Sequence, residues 1–275
     1  MNNKKKVFFD ENSSKDICSL ENTNREKKNK VIIRDPETGE VLFTGYNKVI
    51  VSGSAFTAAK HFNITPHTDT PSYNTVLKLD QTQVDRFNET GIRREEIVCL
   101  FAVGIGGCGA EASQVYDVDY TKWIKPEELV PFKYQLASDD LPEYFRDKYY
   151  GRKTQGNRIA YYFKAFENPP TFNQLFSDGT PIDENIYEST RKDEVESYVQ
   201  VNLKITKEDC RDWFLATTGI NDAKINTLSL LTAYPYEHEG HIYYQNIRPL
   251  TKLNFPSEPL IDTSKGLDIE YHIYY

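Results

Sequence analysis

Between Val195 and Ile205 the chain alternates without a break. Val195, Ser197, Val199, Val201, Leu203 and Ile205 fall on one side; Glu196, Tyr198, Gln200, Asn202 and Lys204 fall on the other. A period of two sends successive side chains to opposite faces of a strand, so this segment reads as β with one face on a core. The opposite face is polar and aromatic, which suits an antiparallel sheet with one wet or interfacial side.

The composition extends that reading to the rest of the chain. Nineteen Tyr and 15 Phe stand against one Met and two Trp, and aromatic residues favour half-buried strands. The 275 residues suffice for one large β domain or two smaller ones. Val31-Ile32-Ile33, the turn Asp35-Pro36-Glu37-Thr38-Gly39 and Val41-Leu42-Phe43 predict a hairpin, because Pro presets φ and Gly accepts φ > 0. A third extended stretch follows at Lys48 to Val51. Ser52 or Ser54 can cap a short helix with Ala55, Ala58, Ala59 and Phe62 on one face.

Further along, 63–75 reads as a loop and Ile97 to Val103 as a strand buried on both faces. Pro126 and Pro142 sit near the starts of two short helical turns. Strands are expected at Arg158 to Phe166, Ile225 to Tyr234, Ile242 to Ile247 and Leu267 to Tyr275, and a loop at Asn168 to Ile182. Thr206 is a plausible N-cap for a helix through about Thr217, with Cys210, Trp213, Phe214 and Thr217 facing the sheet and Gly219 ending it. The expected fold class is mainly β, antiparallel and sandwich-like, with a few short helices. Residues 1–30, lysine- and asparagine-rich and without period, form a flexible or partner-wrapped arm. Residues 31–275 form the β-rich structural domain, with room for two sub-domains.

Charge and cysteine content narrow the function classes. A net charge of −8 argues against a nucleic-acid binder, which needs a basic face to displace counterions. The basic clusters Lys4-Lys5-Lys6 and Arg25 to Lys30 read as part of a solvated arm. No window approaches the length of a membrane-spanning helix, and Val7-Phe8-Phe9 is too short for a signal-peptide core, so synthesis in the cytoplasm is expected. Cys18, Cys99, Cys108 and Cys210 lack metal-site spacing and are expected to stay reduced, with Cys99 and Cys210 facing inward.

Four constellations could carry chemistry. Gly104-Ile105-Gly106-Gly107-Cys108-Gly109 matches GxGxxG after a strand, but a dinucleotide site needs those glycines to open a long helix. A glycine-rich turn leaving a buried strand explains them better. His238 and His241 are three apart on a glycine-containing loop, which is no recognised zinc pattern and reads as a solvated turn. Cys108 as a nucleophile would need a base that the sequence does not nominate. Asp80, Asp85, Asp139, Asp140, Asp193 and Glu194 are scattered acids, without positive support for a glycosidase pair. The expectation is therefore no catalytic, cofactor-binding or metal residues, no cofactor, and a protein that is not an enzyme.

Three stretches resemble virion structural proteins of large tailed bacteriophages. These are the early hairpin with Asn47-Lys48-Val49-Ile50-Val51-Ser52-Gly53 and Phe56; Ile97 to Gly104 with its glycine cluster and the later Tyr161-Tyr162-Phe163-Lys164; and the aromatic-ended strand Ile269 to Tyr275. The resemblance implies assembly into a tail, neck or baseplate in preference to head decoration. It implies partnership with other virion proteins, a homo-oligomer or ring, location in the virion, no membrane and no specific nucleic-acid binding. It carries over no active-site residues. The competing readings are a receptor- or carbohydrate-binding β module, where exposed Trp platforms would be expected, and a hydrolase on a β scaffold. Only Trp123 and Trp213 are present for such a platform.

Overall fold

The structure, a computed structural model, describes residues 30–49, 73, 77–79, 96–109, 114–118, 124–182, 189–191, 194–219, 223–260 and 266–274. The arm up to residue 29, the helix expected after Ser52 or Ser54, most of the 63–75 loop, and Cys18, Asp80, Asp85, Trp123 and Asp193 lie outside the described residues. The first strands are β1 (Lys30–Arg34), β2 (Val41–Tyr46) and β3 (Lys48–Val49). The middle of the chain gives β4 (Ile97–Gly104), β5 (Leu129–Val130), β6 (Lys133–Leu136), the single-turn helix α1 (Glu143–Arg146), β7 (Tyr149–Gln155), β8 (Arg158–Ala165) and β9 (Thr171–Phe176). Then come β10 (Val195–Ile205), helix α2 (Arg211–Thr217), β11 (Lys224–His238), β12 (His241–Pro249), β13 (Thr251–Pro259) and β14 (Leu267–Tyr274).

These strands make two antiparallel sheets. One has five strands in the order β2-β1-β14-β10-β9; the other has nine, along β3-β13-β11-β4-β8-β6 with β12, β5 and β7 paired beside β11, β4 and β8. The alternation that opens the chain's logic decides the core. Val201, Leu203 and Ile205 of β10 and Leu267, Ile269 and Tyr271 of β14 all turn inward. They meet Phe101 and Val103 of β4, Leu228 and Leu230 of β11 and Phe255 of β13 from the opposing sheet. The mainly β, antiparallel, sandwich-like expectation therefore holds. β4 is buried on both faces, as its apolar run requires. Leu100 and Ala102 leave the inter-sheet core and join Tyr162, Phe163, Leu231 and Ala233 in a second apolar layer. Tyr73, Leu77 and Ile124 pack into that layer, with the Tyr73 hydroxyl donating to the Ile124 carbonyl at 3.0 Å.

The turns follow local chemistry. Asp35 Oδ1 accepts from the Glu37 and Thr38 amides at 2.9 and 3.2 Å, and Gly39 supplies φ +71, which closes β1 on β2. In the β11–β12 hairpin Glu239 and Gly240 both take φ > 0, as a tight primed turn demands. Between β7 and β8, Gly156 takes φ +61 ahead of Asn157.

Several sequence expectations need correction. Residues 168–182 are not wholly loop, because β9 forms there and pairs along β10. β6, β7 and β13 were not expected, and Pro126 opens a turn into β5 in place of a helical turn. Thr206 does not cap a helix. Its amide instead donates to Asp209 Oδ2 at 2.7 Å in a compact turn, Cys210 follows in the left-handed region at φ +64, and α2 starts only at Arg211. Cys210 and Phe214 are buried, Trp213 is half-buried, and Thr217 is exposed, its hydroxyl donating back to the Trp213 carbonyl at 2.8 Å. Gly219 does end α2, with φ +90 and its amide donating to the Phe214 carbonyl.

The last described strand, β14, lies in the middle of the five-stranded sheet, with β1 on one side and β10 on the other. On its outward side His272 is buried and stacks on Tyr198 at 4.5 Å between centroids. Deleting 267–274 therefore divides this sheet and removes the three buried apolar side chains Leu267, Ile269 and Tyr271, each contributing roughly 1.5–3 kcal/mol. The truncated chain should lose its cooperative thermal transition and aggregate, as followed by circular dichroism and size-exclusion chromatography. A soluble truncation with an unchanged melt would contradict this placement.

Candidate functional site

The most heavily bonded polar centre in the described structure lies where β8 passes the end of β10. Lys164, 1% exposed, sends its ammonium to Asp209 Oδ2 at 2.8 Å, to the Lys204 carbonyl at 2.7 Å and to Glu167 Oε1 at 3.1 Å. Asp209, whose side chain is fully buried, also accepts from the Thr206 amide and the Tyr149 hydroxyl. All three ammonium donors and both carboxylate oxygens are thus engaged. Such a closed arrangement leaves no group free to take up a substrate, and it joins the two sheets: Lys164 and Tyr149 belong to the nine-stranded sheet, Lys204 to the five-stranded one. Tyr271 makes a second cross-link, donating from β14 to Thr251 Oγ1 of β13 at 2.7 Å.

The glycine cluster has a packing role. The Gly107 amide donates to Asn226 Oδ1 at 2.7 Å, and a Cβ on Gly107 would run into the Asn226 carbonyl. The Ile105 amide donates to the Glu128 carbonyl, and Cys108 bridges to Val115, with Gly109 and Tyr116 amides bonded to the Gln114 and Gly107 carbonyls. The glycines thus leave β4 into a hairpin-like return. The Gly107 and Gly109 amides are thus taken by protein acceptors, whereas a dinucleotide site aims such amides at a pyrophosphate.

Cys108 is half-buried, its Sγ 3.0 Å from the Phe255 carbonyl, and burial raises its thiol above the ordinary value. Desolvation raises Cys99 and Cys210 as well, so at neutral pH all three are thiols, the poor form for nucleophilic attack. All three are free cysteines. His241 faces Asp147, Nδ1 to Oδ1 3.3 Å, on the β12 side of the hairpin. Among the described residues no group of three His, Cys, Asp or Glu is placed to hold a metal ion, and no helix is long and apolar enough to cross a membrane. Glu194 joins Asp178 around Arg191, at 2.7 and 2.8 Å. Hydrogen bonds from Thr180 and then from Arg191 draw the Asp178 carboxyl down to about 2, and the guanidinium lies over the Phe176 ring. This surface cluster fastens the connection between β9 and β10.

Asp139 and Asp140 are among the residues lining an open groove of about 560 Å³ between β6 and α2. Its apolar lining includes Leu136, 40% exposed, and Leu215, 52% exposed. Its cations already have partners: Lys133 bonds Asp212 at 2.8 Å and lies over the Phe145 ring, and Arg158 lies over Tyr134. Exposed apolar side chains beside charged ones in an open groove suit a protein contact. No local pattern in the sequence marks this groove, because α2 meets β6 only through the turn that Asp209 organises. No family model matches the chain, and no curated protein and no solved structure matches it either.

Two outcomes are expected. Lys164→Met and Asp209→Asn should each destabilise by about 3–5 kcal/mol, since each strands a buried partner. The double variant should cost clearly less than the sum in denaturant titrations, and additive losses would show that the pair is not coupled. Under native conditions at pH 7, Cys99 and Cys210 should resist iodoacetamide, as read by peptide mass spectrometry. Fast alkylation of either would contradict their burial.

Proposed function

We propose that the chain is a structural component of a tailed-phage virion that acts by protein–protein assembly, in the tail, neck or baseplate in preference to head decoration. It works in the virion, after synthesis in the host cytoplasm, as a homo-oligomer or ring among other virion proteins. It is not an enzyme on this reading. The observation that carries the reading is the contrast between interior and surface. The buried ionisable groups Lys164 and Asp209 are locked into holding the sheets together, while large apolar side chains stand exposed in the β6–α2 groove. Exposed apolar surface with a charged border serves contact with another protein. The phage resemblance of the early hairpin, the 97–104 strand and the 269–275 strand supplies the kind of assembly.

A glycan-binding module is less well supported. Trp213 is half-buried, edge-on to Phe214 at 4.9 Å between centroids, and packs on the core, so it offers no sugar platform.

Mass spectrometry of purified virions should find this chain at structural copy number, and the isolated protein should form oligomers by light scattering. Leu215→Glu should weaken that self-association by about tenfold or more, a loss of ~1.4 kcal/mol, with an unchanged melting temperature. A chain absent from particles, or one whose association ignores Leu215→Glu, would overturn the virion role or the groove's part in it, respectively.

A further inference from the structure

β2 ends the five-stranded sheet among the described residues, with β1 along one side only. An end strand presents unpaired amides and carbonyls, and folded proteins ordinarily protect such edges with charge, proline or strong bulging. From Val41 to Tyr46 there is neither charge nor proline, and Val41, Leu42 and Tyr46 are 47%, 38% and 56% exposed. The single irregularity lies at Leu42, where the β1 register shifts, so Phe43 to Tyr46 runs as regular strand. That stretch is held from within, because Phe43 packs on Phe255 of the opposing sheet at 6.1 Å between centroids. Among the described residues the edge is therefore fixed in place, apolar and open on one side.

We propose that the segment Lys4–Asp10 of a second copy of this chain adds to β2 as a parallel sixth strand. The proposal rests on the assembly reading above and names one of its contacts. Strand addition takes affinity from main-chain hydrogen bonds and specificity from alternate side chains. Lys4-Lys5-Lys6-Val7-Phe8-Phe9-Asp10 joins a basic triplet to three residues that favour strands. The turn leading into β2 exposes Glu37 and Glu40. In the parallel sense the lysines lie beside these two carboxylates, Val7 to Phe9 run alongside Phe43 to Gly45, and Asp10 comes to the end of β2 that continues into Lys48. The antiparallel sense would set Asp10 against Glu40, like charge on like. Residues 11–29 lie between this segment and β1, and at roughly 3.3 Å per extended residue they can span several tens of ångströms, enough to reach a neighbouring subunit.

Cross-linking in the full-length chain tests this. One copy carries Phe8→Cys and a first tag, and the other carries Thr44→Cys and a second tag. Mixed under mild oxidation, they should give an 8–44 disulfide between differently tagged chains, identified by peptide mass spectrometry so that native cysteines cannot mimic it. Lys5→Cys should cross-link to Glu40→Cys in preference to Asp10→Cys, which fixes the parallel sense; the reverse preference overturns it. A melt of each variant verifies folding, and Tyr46→Cys with Asp10→Cys provides a second pair should Thr44→Cys fail it. An 8–44 link found only within one chain carrying both cysteines overturns delivery by a second copy. Oligomers or particles that form with no 8–44 link overturn the strand addition and leave the assembly role standing. A link in a chain that never enters a virion does the reverse.

Discussion

The buried pairing of Lys164 with Asp209 is the constraint on which the rest of the arrangement depends. A charged pair with side chains 1% and 0% exposed is tolerable only because every donor and acceptor is met, and the partners come from both sheets. Asp209 can accept from the Thr206 amide only if the chain turns sharply after β10. That turn forces Cys210 to φ +64 and delivers its amide to the Phe132 carbonyl at 2.9 Å. α2 is thereby set down against β6, and the groove between them exists as a consequence. A dry, purely apolar contact at this point would hold the sheets together without dictating where α2 begins.

The same economy governs the motifs whose residue types could carry chemistry. Glycines that could have cradled a phosphate are packed against Asn226, and the thiols are desolvated. What faces outward is of a different character: leucines at the groove and the uncharged edge strand β2. A molecule organised in this way presents shape and hydrogen-bonding edges to its surroundings, which supports reading it as a part of something larger.

Much of the fold was legible in the sequence, for reasons that can be stated residue by residue. β10 was legible because its alternation is strict and one of its faces is buried. β4 was legible because an apolar run buried on both sides needs no alternation. β7 was not, because Tyr149 to Gln155 is half polar, although the Gly156-Asn157 pair marked its hairpin in plain view. β9 was hidden behind Pro169-Pro170, and its strand character comes from pairing with β10, a tertiary cause. β13 contains two prolines, which demote a strand on sequence grounds. On local pattern alone Lys164 is one more residue of a strand. Its burial depends on a carboxylate far along the chain, and no local pattern encodes that. The groove was invisible for the same reason, since its two walls come from β6 and α2.

The central position of β14 has a consequence for how the molecule is made. Val31 pairs with Tyr271 and Ile33 with Ile269, so one of the earliest strands waits for one of the latest. While the chain emerges from the ribosome, the β1–β2 hairpin and the β9–β10 pair have no strand to unite them, and their inward faces stay uncovered. Contacts this distant in sequence slow folding and lengthen the time during which apolar strands can find the wrong partner. Nascent chains crowded together on one message would be most at risk, and the yield of correctly formed subunits would depend on the rate at which translation reaches residue 274.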